Sequence, residues 1–200
     1  MNTVFIGGSR HILLLPEPAK HWLLHHVIEK NCSILIGDAN GADKAVQKYL
    51  ANEHYDDVTV YCSGESCRNN IGHWATRCIN ASGNKKKFQF YAAKDREMAR
   101  EAEFGFMIWD GKSPGTVLNI LRLIRASKKA LLFNMQEEQI LTFNSEADWD
   151  TFLMQCTGTL RRSLENRALP TEWSPLLHAQ TNLNLPEPDL DDKRPESISI

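Results

Sequence analysis

The sequence has few cysteines, and they lack the close pairing of a common zinc or disulfide framework. Their odd number and irregular spacing predict reduced thiols in a cytoplasmic protein. Those at positions 62, 67 and 78 lie near His73 and could be drawn as a zinc site, but the usual CxxC pair is missing. We therefore expect no metal site. The five cysteines are Cys32, Cys62, Cys67, Cys78 and Cys156.

Long apolar runs and an excess of one charge are also absent. No apolar stretch reaches the roughly 18 residues that cross a bilayer, and no basic segment followed by an apolar core opens the chain. We expect neither a membrane span nor a signal peptide. The formal net charge of −2 differs from the strongly basic character of many nucleic-acid-binding domains, so we do not expect strong nucleic-acid binding. The 200 residues suffice for one domain with a sizeable core.

Residues 104–120 contain the pattern around which we organise the rest of the chain. Residues 104–109 form an uncharged apolar run, which predicts a strand buried on both faces. Ser113 and Pro114 then predict a helix start, with Ser as the cap and Pro in the first turn. A helix N-terminus beside a strand end favours an anion, so we predict a phosphate cradle here. Its candidate ligand-binding residues are Gly111, Lys112, Ser113, Gly115 and Thr116.

Two earlier strands end in similar glycine-bearing turns. Residues 3–6 and 33–36 are short apolar strands, each followed at once by glycine and polar residues. The first exit also fits a plain tight turn with an exposed Arg, and in the second Asn40 and Asp43 also fit a cap and a first-turn acid. The candidate ligand-binding residues are Gly7, Gly8, Ser9 and Arg10 in the first exit, and Gly37, Asp38, Asn40, Gly41 and Asp43 in the second.

A long polar loop is predicted over residues 63–87, after a third strand at residues 58–61. Its Arg68, Asn69 and Asn70 are candidates for binding a phosphate, and Trp74 for stacking on a base. The alternative is a surface loop with Trp74 anchored in the core. The three lysines at 85–87 are most simply a solvated tip.

The remaining pattern predicts more alternating strands and helices. We expect a short strand at 88–91, a helix beginning near Lys94 with Asp95 as N-cap, strands at 128–134 and 139–143, and a capping box at 145–148. The domain then spans residues 1–157. Residues 158–200 form a short helix and a polar tail, which we expect to be disordered or packed against a partner.

Strands that alternate with helices predict an α/β, Rossmann-like fold with a mostly parallel sheet and helices on both faces. The ordered set of strand exits within residues 1–135, with the Arg68-Asn69-Asn70 loop, resembles the SLOG superfamily of Rossmann-like nucleotide-binding domains, nearest its YspA-type branch. That superfamily includes Lonely-guy phosphoribohydrolases, nucleotide sensors of bacterial defence or stress, and the DNA-uptake protein DprA. The resemblance implies a nucleotide or nucleotide derivative as ligand, with no further cofactor required.

The resemblance leaves three functions open. The phosphoribohydrolases carry a PGGxGTxxE signature, of which Gly115 and Thr116 match the Gly-Thr pair, but Asn119 stands where the Glu is expected. An amide cannot ionise, so nucleotide binding or sensing is our first hypothesis. An N-glycosidic hydrolase of a nucleoside monophosphate, with Asp110 or Asp38 as catalytic carboxylate, is the second, and a DprA-like DNA or protein interaction module is the third. A homo-oligomer also remains open.

Overall fold

The computed structural model describes residues 2–80 and 88–173. They form one seven-stranded sheet in the order β4-β3-β2-β1-β5-β6-β7, in which β7 alone runs antiparallel to its neighbour. The strands are β1 Thr3–Gly8, β2 Ser33–Gly37, β3 Val58–Ser63, β4 Ala75–Ile79, β5 Phe104–Trp109, β6 Lys129–Asn134 and β7 Gln139–Phe143.

Helices cover both faces of the sheet, because inward-facing strand residues alternate between two apolar clusters. On one face, Val4, Ile6 and Phe106 pack under α1 and α2. On the other, Phe5 and Met107 pack under α3 to α6. The predicted α/β fold is confirmed. The helices are α1 Glu17–Leu23 (continued by a π-helical turn, Leu24–Ile28), α2 Ala42–Asn52, α3 Phe88–Glu101, α4 Pro114–Arg125, α5 Glu146–Gln155, α6 Gly158–Arg167 and α7 Pro170–Trp173.

The short strand predicted at residues 88–91 is wrong, since these residues form the first turn of α3. A four-residue apolar run cannot be assigned to strand or helix by periodicity alone. Asp95 is likewise not an N-cap but lies in the middle of α3, where it accepts a hydrogen bond from the Lys94 ammonium group at 2.7 Å. The Ser145–Asp148 capping box of α5 is confirmed: the Asp148 N–H donates to the Ser145 hydroxyl, and the Ser145 N–H donates to the Asp148 carboxylate.

The predicted loop at 63–87 contains an edge strand, β4, which pairs in parallel with β3. Four of its five residues are exposed, so it lacks the apolar pattern that identifies a strand. Trp74 just before it is 9% exposed and its indole N–H donates to the Tyr55 carbonyl at 2.9 Å, which confirms the core-anchor alternative. The lysines at 85–87 lie outside the described residues.

The C-terminal helices α6 and α7 pack against the same core as α4. Leu160 and Leu164 of α6 are buried in the cluster under α3 and α4. Glu172 of α7 forms ion pairs with Arg96 and Arg122, at 2.8 Å each. The boundary predicted at residue 157 stays a prediction, since 174–200 lie outside the described residues.

Candidate ligand-binding cleft

A cleft of about 600 Å³ opens at the carboxyl ends of β1 and β5, which pair side by side. From β1 the chain continues to β2 on one side, whereas β5 and β6 extend the sheet on the other. Ligands of open α/β sheets bind at such switch points. The cleft is within the usual size range for small-molecule sites, roughly 300–1,000 Å³.

The turn after β2 brings α2 against the turn after β1. Gly41 precedes α2 with a positive φ of 89°, and a Cβ there would lie 2.3 Å from the Arg10 carbonyl oxygen. Only glycine combines this φ with so close an approach. The Ala42 N–H then donates to the Ser9 carbonyl at 3.0 Å, which fixes the two strand exits to each other.

Asp110 occupies the start of α4 with its own carboxylate. Its Oδ1 accepts bonds from the N–H groups of Lys112 and Ser113, at 3.0 and 2.7 Å, and from the Ser9 hydroxyl at 3.1 Å. Its Oδ2 accepts a bond from the Ser113 hydroxyl at 2.8 Å and lies 3.3 Å from His11 Nδ1. Burial raises the pKa of Asp110, but these hydrogen bonds outweigh it and lower the pKa to about 2.

The predicted phosphate cradle is therefore partly filled from within the chain. Ser113 holds the N-cap position of α4, but its hydroxyl bonds Asp110 instead of capping the helix. Pro114 has no N–H to donate, and helix geometry leaves the N–H groups of Gly115 and Thr116 without an intrahelical acceptor. Gly115 and Thr116 both line the cleft, so the donors available to an anion lie two and three residues after Ser113, within the first turn of α4.

One wall of the cleft is aromatic and comes from the first turn of α3. Phe88 and Tyr91 both line it. The guanidinium carbons of Arg10 and Arg68 lie 5.2 and 4.8 Å from the centre of the Tyr91 ring, and that of Arg167 lies 5.3 Å from the Phe88 ring. Cations at these distances are attracted to the faces of aromatic rings.

A buried ionic cluster adjoins the cleft. Lys94 is 4% exposed, and its ammonium group lies 2.7 Å from Asp95 and 3.8 Å from Asp43. Burial lowers the pKa of Lys94, but the two carboxylates outweigh it and the pKa is raised. Burial raises the pKa of Asp43 to about 6 in spite of the nearby ammonium group.

Asp38 is locked in an ion pair next to the cleft. Both of its oxygens accept bonds from the Arg68 side chain, at 2.9 and 2.7 Å, and Oδ2 also accepts from the Arg68 backbone N–H at 3.0 Å. Burial raises its pKa, but these bonds with Arg68 lower it overall. Asn69 fastens the same loop, since its amide donates to the Asp38 carbonyl and to Asn40 Oδ1.

The predicted site residues divide into those that line the cleft and those that support it. The lining residues are Gly7, Gly8, Ser9, Arg10, Asp43, Asp110, Lys112, Ser113, Gly115 and Thr116. The others fall outside the lining in the described part of the chain: Gly37, Asp38, Asn40, Gly41, Arg68, Asn69, Asn70 and Gly111. Asn70 bonds the backbone of Trp74, and so shapes its own loop.

Several lining residues were not candidates in the sequence analysis. They are Phe5, His11, Ala39, Phe88, Tyr91, Ala92, Lys94, Asp95, Pro114, Asn119 and Arg167. A signal existed for Phe88 and Tyr91, because residues three apart share one face of a helix. None existed for Arg167, which approaches the cleft only through tertiary packing. Asn119 accepts a bond from Arg122 at 2.6 Å, so an arginine holds the amide at the position of the expected Glu.

No protein-family model and no curated protein matches this sequence. The fold nevertheless resembles that of a solved protein structure, and it is a Rossmann-like α/β domain. The chain is similar to DNA processing protein A from Helicobacter pylori, whose structure was described for its single-stranded DNA binding mode. The two share 14% identity with a TM-score of 0.51, over 82% of this chain and 79% of that one. At this identity the likeness establishes the fold alone. In the described part of the chain, no helix is long and apolar enough to cross a membrane.

Proposed function

We propose that the cleft between β1 and β5 binds a nucleotide or a nucleotide derivative. The observation that carries this proposal is that anion donors and an aromatic wall face the same cavity. Gly115 and Thr116 lie at its α4 side, and Phe88 and Tyr91 at its α3 side. The proposal includes membership of the SLOG superfamily, YspA-type, and needs no further cofactor.

The phosphate end of the ligand belongs at the α4 N-terminus. Free N–H groups and the helix dipole favour an anion there. Arg10 and Lys112 also line the cleft and supply two positive charges. Because Asp110 already holds the Lys112 and Ser113 N–H groups, the phosphate meets Gly115 and Thr116 first.

The base belongs against α3. Tyr91 and Phe88 offer ring faces, and Arg10, Arg68 and Arg167 lie at cation–π distance from these rings. Stacking on aromatic side chains is tolerant of base identity. The cleft thus supports recognition of a nucleotide class more strongly than recognition of one base.

Binding is favoured over hydrolysis by the state of the two candidate carboxylates. Asp110 has a pKa lowered to about 2 and several donors on its oxygens, so it is a weak base with few free lone pairs. Asp38 is paired with Arg68 and lies outside the cleft lining. Neither resembles a carboxylate poised to act on a glycosidic bond.

A thermal-shift panel of nucleotides and nucleotide-sugars tests the proposal, because a ligand that binds only the folded state raises the Tm. At least one member of the panel should raise the Tm of the wild type. Tyr91→Ala and Lys112→Ala should each reduce that shift. Lys129→Ala should leave it unchanged, because Lys129 begins β6 and lies at the amino ends of the strands, away from the cleft at their carboxyl ends. A panel that gives no shift would contradict the proposal. Free base in chromatograms of the same mixtures would instead support the hydrolase.

A second candidate function is interaction with single-stranded DNA. It is supported by the likeness to a protein described as binding such DNA and by the arginines around Tyr91 and Phe88. The formal charge of −2 argues for weak binding. Fluorescence anisotropy with a labelled oligothymidine should then show binding that falls steeply with salt. Salt-resistant nucleotide binding without oligonucleotide binding would exclude this candidate.

A further inference from the structure

Three cysteines converge at the carboxyl end of β3. The Sγ atoms of Cys62, Cys67 and Cys78 all lie within 4.8 Å of one another. Those of Cys62 and Cys78 are 2.8 Å apart. Their side chains grade from buried at Cys62, through half-buried at Cys67, to exposed at Cys78. The cluster therefore has a closed side and an open side.

The sheet and one tight turn create this cluster. Cys62 and Cys78 are register partners on the parallel strands β3 and β4, so their side chains leave the same face side by side. Gly64 then turns the chain with a φ of 93°, and its N–H donates to the Ile79 carbonyl at 3.0 Å. This turn returns Cys67 to the other two, with its Sγ 3.9 Å from the Val60 carbonyl.

The distances suit a single metal ion shared by the three sulfurs. Thiolates at the usual bond length of about 2.3 Å from one zinc ion are separated from each other by roughly 3.8 Å. The Cys62–Cys78 pair at 2.8 Å would have to open by about 1 Å, and a pair at the 4.8 Å limit would have to close by about as much. Rotation about Cα–Cβ bonds provides shifts of this size.

Without a metal ion, burial favours the protonated form of two of the three thiols. Burial raises the pKa values of Cys62 and Cys67, and the neighbouring thiols raise that of Cys62 further. One buried, one half-buried and one exposed thiol thus face one point without a charge to balance. A bound cation reverses this preference, because it replaces the thiol protons and stabilises the thiolates.

We propose that Cys62, Cys67 and Cys78 bind one soft d¹⁰ metal ion, Zn²⁺ or Cu⁺, through three thiolates. Soft thiolate ligands select these ions. Binding forms three metal–sulfur bonds and releases three protons, with no transfer of electrons. The exposed side at Cys78 leaves a fourth position for water on zinc, whereas Cu⁺ is satisfied by the three sulfurs. His73 is not part of the cluster within the described residues.

The full-length protein, reduced and stripped of metal, provides the test. Zn²⁺ and, in a separate anaerobic arm, Cu⁺ are added, and the retained metal is counted by mass spectrometry after desalting. We expect one retained ion per chain in at least one of the two experiments, and the metal that is retained identifies the ion. Co²⁺ added in place of zinc should give a thiolate-to-metal charge-transfer band, which reports sulfur ligation directly.

Single cysteine variants connect the metal to this cluster. Cys78→Ser and Cys67→Ser should lower the affinity at least about tenfold, whereas Cys156→Ser, a half-buried cysteine of the α5 C-cap, should leave it unchanged. Cys78 is exposed, so its variant should keep the circular dichroism of the wild type even if the Cys67 variant does not. The proposal fails if the reduced protein retains no ion in either arm. It also fails if Cys156→Ser weakens binding as much as Cys78→Ser, or if a Cys62–Cys78 disulfide is the only modification found.

Discussion

At the start of α4, Asp110 places a carboxylate where a helix usually receives a hydroxyl cap or an external anion. Five bonds or close polar contacts converge on its two oxygens, from Ser9, His11, Lys112 and Ser113. This residue joins the β1 exit to the β5 exit and completes the rim of the cleft. The main role of Asp110 in the folded chain is therefore structural, because it fixes the β1 and β5 exits to each other.

Replacing Asp110 by Asn should destabilise the protein by about 2 kcal/mol at neutral pH. The folded pKa of about 2 lies below the unfolded value of 3.8, so the carboxylate contributes its stability above the unfolded pKa. That contribution is lost as the pH falls from about 4 toward 2. Urea unfolding of both proteins should show a constant difference between about pH 7 and pH 5 and a smaller one near pH 3. Asp150→Asn, at an exposed position of α5, is the control and should change little. A pH-independent difference would contradict the assignment.

Gly37→Ala should be among the most destabilising single substitutions in the chain. A Cβ at this position would lie 2.3 Å from both Lys94 Nζ and Asp43 Oδ2. The buried ionic cluster would have to separate, which costs about 3 kcal/mol or more. Gly158→Ala is the matched control, because a Cβ there meets nothing within 4 Å and Ala favours the first turn of α6. Equal effects of the two substitutions in denaturant unfolding would contradict this packing.

Among the strands, those with an apolar run in the sequence were predicted, and β4, which lacks such a run, was not. β1, β2 and β5 are apolar runs next to glycine-bearing turns, so both their type and their exits were readable from the sequence. β4 is exposed along most of its length, and its pairing with β3 is a contact that the local sequence does not encode. The first turn of α3 was mistaken for a strand because four apolar residues fit both periods.

The short helix α7 should contribute more stability than its four residues suggest. Glu172 pairs with Arg96 of α3 and Arg122 of α4, and accepts from the Leu169 N–H at 2.8 Å. Burial raises the pKa of Glu172, but the arginines lower it overall to about 2. Glu172→Gln should cost about 3 kcal/mol in urea unfolding at neutral pH, since it leaves Arg122 buried without a counter-charge. Glu165→Gln, at an exposed position of α6, should be close to neutral. If both substitutions are neutral, α7 does not hold α3 to α4.

In the whole molecule, the location of the cleft was more predictable than its lining. Parallel strands put their carboxyl ends on one edge, so Gly7–Arg10 and residues 110–116 had to meet there. Asp38 and Arg68 reached the same edge, but they bond each other and support the wall behind Tyr91. Whether a polar residue contacts a ligand or a neighbour depends on side-chain pairs far apart in sequence, such as Arg167 over Phe88. The local sequence pattern does not predict such pairs.

The stability of the sheet should be uneven, with β4 as its least stable strand. Among the strands of residues 2–80 and 88–173, β4 bonds only to β3 and most of its residues are exposed, whereas β1 and β5 are paired on both sides and buried on both faces. Amide hydrogen exchange should therefore be fastest in β4 and slowest in β1 and β5. Because Cys78 lies in β4 and Cys62 in β3, an ion bound to both should slow exchange in β4 while leaving β7, the other edge strand, unchanged. Exchange in β4 as slow as in β5 without metal would contradict the predicted order of strand stability. Equal slowing of β4 and β7 on addition of Zn²⁺ would show that any stabilisation is global and does not originate at the cysteines.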